Sequence, residues 1–89
     1  MWYFYVVESL KNSQWYKGCT GNLKRRFAEH NQKRGGSYTK KMAPFKLIYY
    51  EAYLEKTDAA DAERFYKTGY GREILKGKLK YYLNMRKKE

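Results

Sequence analysis

The sequence predicts an α/β fold of the α+β type: a three-stranded, mainly antiparallel sheet flanked by helices, in the order β-β-α-β-α-α. Three observations predict it. Three short runs are dense in aromatic and β-branched residues. Three other stretches repeat apolar residues at helical spacing. The first two strand-like runs are separated only by a short polar segment, the signature of a hairpin.

The first run, MWYFYVVE from Met1 to Glu8, reads as a strand buried on at least one face. SLKNSQ is turn-forming, and WYKGC from Trp15 to Cys19 completes the hairpin. Gly18 permits a bend or a close backbone approach near its end. Thr20 or Asn22 caps a helix starting near Leu23 and running to about Lys33. On it Leu23 and Phe27 share one face, and Arg26 and His30 share the next. RGGSYTKKMAP is a loop, and Phe45 to Tyr53, FKLIYYEAY, is the third strand. Thr57 or Asp58 caps a second helix whose packing face holds Ala59, Ala62, Phe65 and Tyr66, and Gly69 and Gly71 stop it. A third helix runs from about Arg72 to Met85, with Ile74, Leu75, Leu79, Tyr82 and Leu83 on its apolar side. Gly77 weakens that helix by about 1 kcal/mol relative to alanine. The RKKE tail is frayed, and no repeat or linker interrupts residues 1–89, so a single domain is expected.

Charge narrows the function. Twenty Lys and Arg against nine Asp and Glu leave a net charge of +11. That excess calls for a polyanionic partner, nucleic acid first and an anionic membrane second. Cys19 is the only cysteine, which rules out an intrachain disulfide and a cysteine-built zinc site and suits a reducing cytoplasm. We expect it to be a small buried residue. The apolar run from Met1 to Val7 is well short of the ~20 residues of a membrane span and lacks a basic leader, so it reads as a strand and not a signal peptide. Eleven tyrosines supply rings for a small core and hydroxyls for its margins.

Several residues now form an ordered set. Tyr3-Phe4-Tyr5 and Tyr16-Lys17-Gly18 are strand tripeptides; NLKRRFAEHN is a basic helix, AERFYK a helix bearing Glu63, and KTGYGREIL follows. In this order the chain resembles the GIY-YIG nuclease domain family, and in particular its small stand-alone bacterial members, related to the nuclease domain of the excision-repair incision subunit. The resemblance covers nearly the whole chain. It implies hydrolysis of DNA phosphodiester bonds with one divalent metal, usually magnesium, with manganese as the alternative. It matches Tyr5 and Tyr16 to the two motif tyrosines, Arg26 to the catalytic arginine, His30 to a helix position often held by tyrosine, and Glu63 to the metal-binding glutamate. The first tripeptide here lacks the family's glycine and isoleucine, Lys17 replaces the isoleucine of the second, and no asparagine-bearing final motif is evident.

Elementary chemistry supports those roles without requiring them. Phosphodiester hydrolysis needs a positioned water and neutralisation of charge on the phosphoryl and leaving oxygens. Magnesium keeps several waters, so Glu63 alone can hold it, although by itself Glu63 is an ordinary solvated helix carboxylate. Arg26 presents a planar donor fork to phosphate, but it is one of six arginines. His30, the only histidine, can hydrogen-bond a phenol or take a proton, or serve a purely structural purpose. A tyrosine, with its ordinary pKa of about 10, needs a nearby cation to act as a base. Tyr16 is the first choice for the hydroxyl that orients or deprotonates water, and Tyr5 is the second; both also suit plain core packing.

Lys17, Lys24, Arg25, Lys33, Arg34, Lys40, Lys41, Lys67 and Arg72 are the expected DNA contacts, continued by Lys76, Lys78 and Lys80. No recognition helix of a sequence-reading motif is present, so the expected endonuclease is structure-selective or weakly sequence-selective, in DNA repair or recombination. DNA is preferred to RNA as the partner, no membrane is involved, and a protein partner can supply extra DNA affinity. The competing readings are a non-cleaving or partner-dependent nucleic-acid-binding module of the same fold, and a basic RNA- or ribosome-associated protein.

Overall fold

The computed structural model describes residues 1–31 and 41–87. Strands β1 (Trp2–Ser9), β2 (Trp15–Thr20) and β3 (Phe45–Tyr53) form one antiparallel sheet in the order β2-β1-β3. Helix α1 (Leu23–Asn31) lies between β2 and β3 in the chain. Helices α2 (Lys56–Tyr66), α3 (Gly69–Lys78) and α4 (Lys80–Lys87) follow β3.

Strand alternation divides β1 between two layers. Phe4 and Val6 are fully buried against Ala62 and Tyr66 of α2 and Leu75 of α3. Tyr5 and Val7 point the other way, toward Phe45, Tyr16 and the Leu23 and Phe27 stripe of α1. The sheet therefore lies between α1 on one face and α2 with α3 on the other. A register shift between Val6 and Val7 inserts an extra β3 residue, so Tyr49 pairs with Val6 while Leu47 pairs with Val7.

Two carboxylates tie the helices to the sheet. Glu51 of β3 accepts hydrogen bonds from the hydroxyls of Tyr49 and Tyr53, from Tyr66 of α2 at 2.6 Å and from Lys78 of α3 at 3.3 Å. Burial pushes the Glu51 carboxyl up, yet these donors outweigh it and hold the carboxyl below its ordinary range. Burial and the adjacent Glu51 carboxylate in turn push the Tyr53 hydroxyl up to about 12. Glu8 of β1 accepts from Trp15 of β2 at 2.8 Å, from Tyr82 of α4 at 2.7 Å and from Arg86.

The structure adds a helix to the expected order and moves several boundaries. Gly69 and Gly71 open α3 instead of merely stopping α2. Thr68 caps the new helix by accepting from the Gly71 amide at 3.0 Å. Gly71 is required there, because a Cβ at that position would fall 1.9 Å from the Phe65 carbonyl oxygen. The predicted final helix is divided at Leu79, whose φ of −110° and ψ of 21° depart from helical geometry. Helix α2 begins at Lys56 behind Glu55, ahead of the expected Thr57 or Asp58 cap. Phe65 packs on Tyr66 and Tyr70 at the surface and takes no part in the core. Cys19 is half-buried, not buried. Among the described residues no helix is long and apolar enough to cross a membrane.

Candidate active site

The site begins with the pairing of β1 and β2, which sets Tyr5 opposite Gly18. Paired residues project to the same face, so a side chain at 18 would stand in the path of the Tyr5 ring. Gly18 has none, and the phenol lies across it: a Cβ at 18 would be 2.4 Å from the Tyr5 hydroxyl. Tyr5 thereby reaches from the central strand over the outermost one.

Helix α1 meets it there. Asn22 caps the helix by accepting from the Arg25 amide at 3.0 Å, as one of the two expected caps, while Thr20 accepts from the Asn22 amide at 3.1 Å. Leu23 and Phe27 seat the helix on the sheet, which turns Arg26 and His30 toward Tyr5. Arg26 Nε donates to the Tyr5 hydroxyl at 3.4 Å, and His30 Nε2 lies 3.0 Å from the same oxygen. Arg26 is also 3.4 Å from Glu29. A guanidinium only donates, so the phenol oxygen accepts from Arg26 and its own proton is available to an accepting Nε2.

Burial sets the protonation states. It pushes the His30 pKa down, helped by the Arg26 charge, so the imidazole is neutral near pH 7. It pushes the Tyr5 phenol up, opposed by the Arg26 hydrogen bond and charge. Arg26 is itself held more firmly protonated by its bond to Tyr5.

Glu63 comes from the opposite layer. Its neighbour Ala62 packs against Phe4 and Val6, and its carboxylate is 2.7 Å from Lys67 Nζ one turn on. Its charge nevertheless acts on the Tyr5 phenol and on the Cys19 thiol, raising both in addition to burial. The site therefore draws on both layers of the sheet. Arg26, His30 and Tyr5 meet on the α1 side, Glu63 belongs to the α2 side, and their fields overlap at the β2 margin where the Tyr5 phenol lies over Gly18. As a donor set, a lone partly exposed carboxylate fits a magnesium ion that retains most of its waters. It does not fit a protein-caged metal, since no group of three or more His, Cys, Asp or Glu is found among the described residues.

Tyr16 shares the α1 face and is half-buried. Its ring packs edge-on against Phe45, with centroids 5.5 Å apart, and its hydroxyl is buried. Lys17, its neighbour in β2, pairs with Val6 and so projects from the other face. Burial lowers its pKa, followed by the charges of Arg72, Lys67 and Lys76, which places four cations around the α2–α3 side of β2. Of the other expected DNA contacts, Arg25 is exposed with Glu29 at 3.5 Å, and Lys24 lines an open groove beside Tyr3 and Tyr50. Lys41 contributes a backbone carbonyl to Lys11. Lys33, Arg34 and Lys40 lie outside the described residues. The groove, Glu8 and Glu51 escaped the sequence reading; only strand register, which is not visible in one sequence, would have assembled them.

The family model described as the GIY-YIG catalytic domain matches residues 1–81. A UPF0213 protein of Pediococcus acidilactici is 42% identical over 84 residues, covering 92% of this chain and 81% of its own. One from Bacillus subtilis is 42% identical over 65 residues, 73% of this chain and 65% of that protein. The solution NMR structure of a UPF0213 protein from Bacillus halodurans superposes with a TM-score of 0.50 at 31% identity, covering 84% of this chain and 82% of the other.

Proposed function

This chain belongs to the GIY-YIG catalytic-domain family, a nuclease family, and on that premise we propose that it is a metal-dependent DNA endonuclease whose reacting groups gather at the β2 margin. One observation carries the reading: a single phenol, Tyr5, is held between a guanidinium and a neutral imidazole within the field of Glu63.

In this reading Arg26 anchors a phosphoryl oxygen with the donors not engaged by Tyr5. A water oxygen forms a bond to phosphorus while the bond to the leaving oxygen breaks. The water proton passes to the Tyr5 oxygen as the Tyr5 proton passes to His30 Nε2, and the leaving oxygen takes its proton from solvent. The relay explains how a phenol whose pKa is raised can still accept a proton: it gives one up in the same step. It favours Tyr5 over Tyr16 for this role and leaves Tyr16 as a packing and orienting residue. Glu63 would hold the divalent cation, magnesium with manganese as the alternative, which when bound supplies charge neutralisation at the phosphoryl and leaving oxygens.

Lys17, Lys67 and Arg72 on one side and Lys24 and Arg25 on the other fit a phosphate backbone running past that margin. Contacts of this kind follow the backbone, which supports structure-selective or weakly sequence-selective cleavage, and the proposal takes residues 1–89 as one nuclease domain acting in repair or recombination. The deciding experiment is nicking of supercoiled plasmid with magnesium, with manganese and with chelator, by wild type, Tyr5→Phe and Glu63→Ala. Metal-dependent nicking lost in both variants supports the proposal. Binding without nicking under every condition, or equal nicking by all three proteins, overturns it, and the first result favours the non-cleaving module.

A further inference from the structure

Beside the Tyr5–Arg26 pair, on the α1 face, is an open groove of about 510 Å³, in the range of sites that hold small organic groups. Two tyrosines wall it. Tyr3 stands two residues before Tyr5 on the same face, and Tyr50 is paired with Tyr5 across the β1–β3 ladder. Their rings meet edge to face, with centroids 5.9 Å apart, and Tyr50 is 53% exposed. Leu23 and Phe27 contribute the apolar lining and Lys24 a cation. Among the described residues no carboxylate lines it. Gly21 and Asn22 border this groove and also a smaller cleft lined by Arg26, so the two spaces are neighbours.

The occupant must therefore offer a flat apolar surface to the exposed Tyr50 ring and the half-buried Tyr3 ring, and negative charge to Lys24 and Arg26. A nucleotide does both. A base paired within continuous duplex does not, because its faces are covered by its neighbours and only its edges are presented. An apolar protein segment matches the tyrosines but not the cations or the overall charge of +11. We propose that the groove is a subsite for one unpaired nucleobase of the DNA strand being cut, next to the phosphate held by Arg26. The substrate class is then DNA with single-stranded or frayed nucleotides at the cleavage point. This rests on the nuclease reading and narrows it.

The test measures binding in chelator, which separates affinity from cleavage. A dye-labelled single-stranded oligonucleotide, the same strand with one abasic nucleotide stepped along it, and a blunt duplex are titrated by anisotropy against wild type, Tyr50→Ala and Tyr50→Phe. Tyr50 is exposed, so its loss leaves the fold intact, which thermal melting checks. Tyr50→Ala is expected to weaken single-strand binding by about 5- to 150-fold, the range for one aromatic–base stack. Duplex binding changes by less than about 2-fold, and Tyr50→Phe restores single-strand affinity. One abasic position should reproduce the loss in wild type and add nothing in Tyr50→Ala. Equal losses on single strand and duplex, or no loss on either, overturn the subsite. If wild type then still nicks plasmid in magnesium, the nuclease reading survives that failure; if it neither binds nor nicks, both fall.

Discussion

Gly18 lies directly beneath the phenol of Tyr5, so that a Cβ at position 18 would stand 2.4 Å from the hydroxyl and 2.6 Å from the ring carbon that bears it. The glycine is thus a steric condition on the reach of another residue. Gly18→Ala should displace the phenol from Arg26 and His30. Overpacking of this kind costs about 1–3 kcal/mol. We expect that loss in a denaturant titration, together with a more than ~10-fold fall in nicking, and DNA affinity within about 2-fold of wild type. Unchanged nicking would show that the phenol position is irrelevant to the chemistry.

Tyr5→Phe keeps the ring and deletes the relay oxygen. General acid–base groups contribute about 10²–10⁴-fold, and a loss of that order in single-turnover cleavage is expected. Tyr16→Phe should cost at least 10-fold less, since Tyr5 is the phenol within hydrogen-bond distance of both Arg26 and His30. The reverse ranking would restore Tyr16 as the base.

His30 carries a pH signature. Its pKa is lowered in the folded state from 6.5, so the unfolded chain binds the proton more readily. Its contribution to stability is complete above about pH 6.5 and is lost as pH falls from there through the lowered folded value. Cleavage should share this direction, with an acid limb below 6.5 that marks protonation of the accepting nitrogen. His30→Gln should abolish the limb and lower the plateau, as read from a pH–rate profile.

Glu51 is expected to matter for stability alone. Glu51→Gln weakens an acceptor shared by Tyr49, Tyr53, Tyr66 and Lys78, and poorly satisfied buried hydroxyls cost about 1–3 kcal/mol. For a chain of this size each kcal/mol lowers Tm by roughly 4–8 °C. Because the folded carboxyl is held below 4.5, its contribution is present above that pH and lost as pH falls through the folded value. Cleavage per folded molecule should be unaffected; a loss of activity larger than the unfolded fraction would contradict this.

Which parts were legible in the sequence follows from what a sequence encodes locally. The Phe45–Tyr53 strand, a cap at Thr20 or Asn22 and the Arg26–His30 stripe depend on neighbours within a few residues and are legible in the sequence; the structure selects Asn22 as the cap. Gly69 and Gly71 were read only as a stop, because glycine breaks helices locally; in the fold the absence of a Cβ lets α3 start against the Phe65 carbonyl. The Tyr5–Gly18 crossing depends on register, a pairing across thirteen residues of chain that no local pattern specifies. The position of Glu63 behind the sheet margin depends on which face α2 covers, and that is decided by Phe4, Val6 and Leu75 together.

The outermost place of β2 in the sheet has a cost and a use. An outer strand presents backbone groups to which a foreign strand can anneal, and proteins commonly guard such strands with lysine. Burying β2 under another element would remove the hazard but would also cover the margin at which the proposed substrate meets Tyr5. Lys17 resolves the conflict: its charge discourages another copy of this basic chain from adding its own strand, and in the proposed function it is free to meet a phosphate. The six residues of β2 thus serve as gate and sentry at once, and replacing Lys17 with an aliphatic residue trades colloidal safety for nothing the chemistry needs.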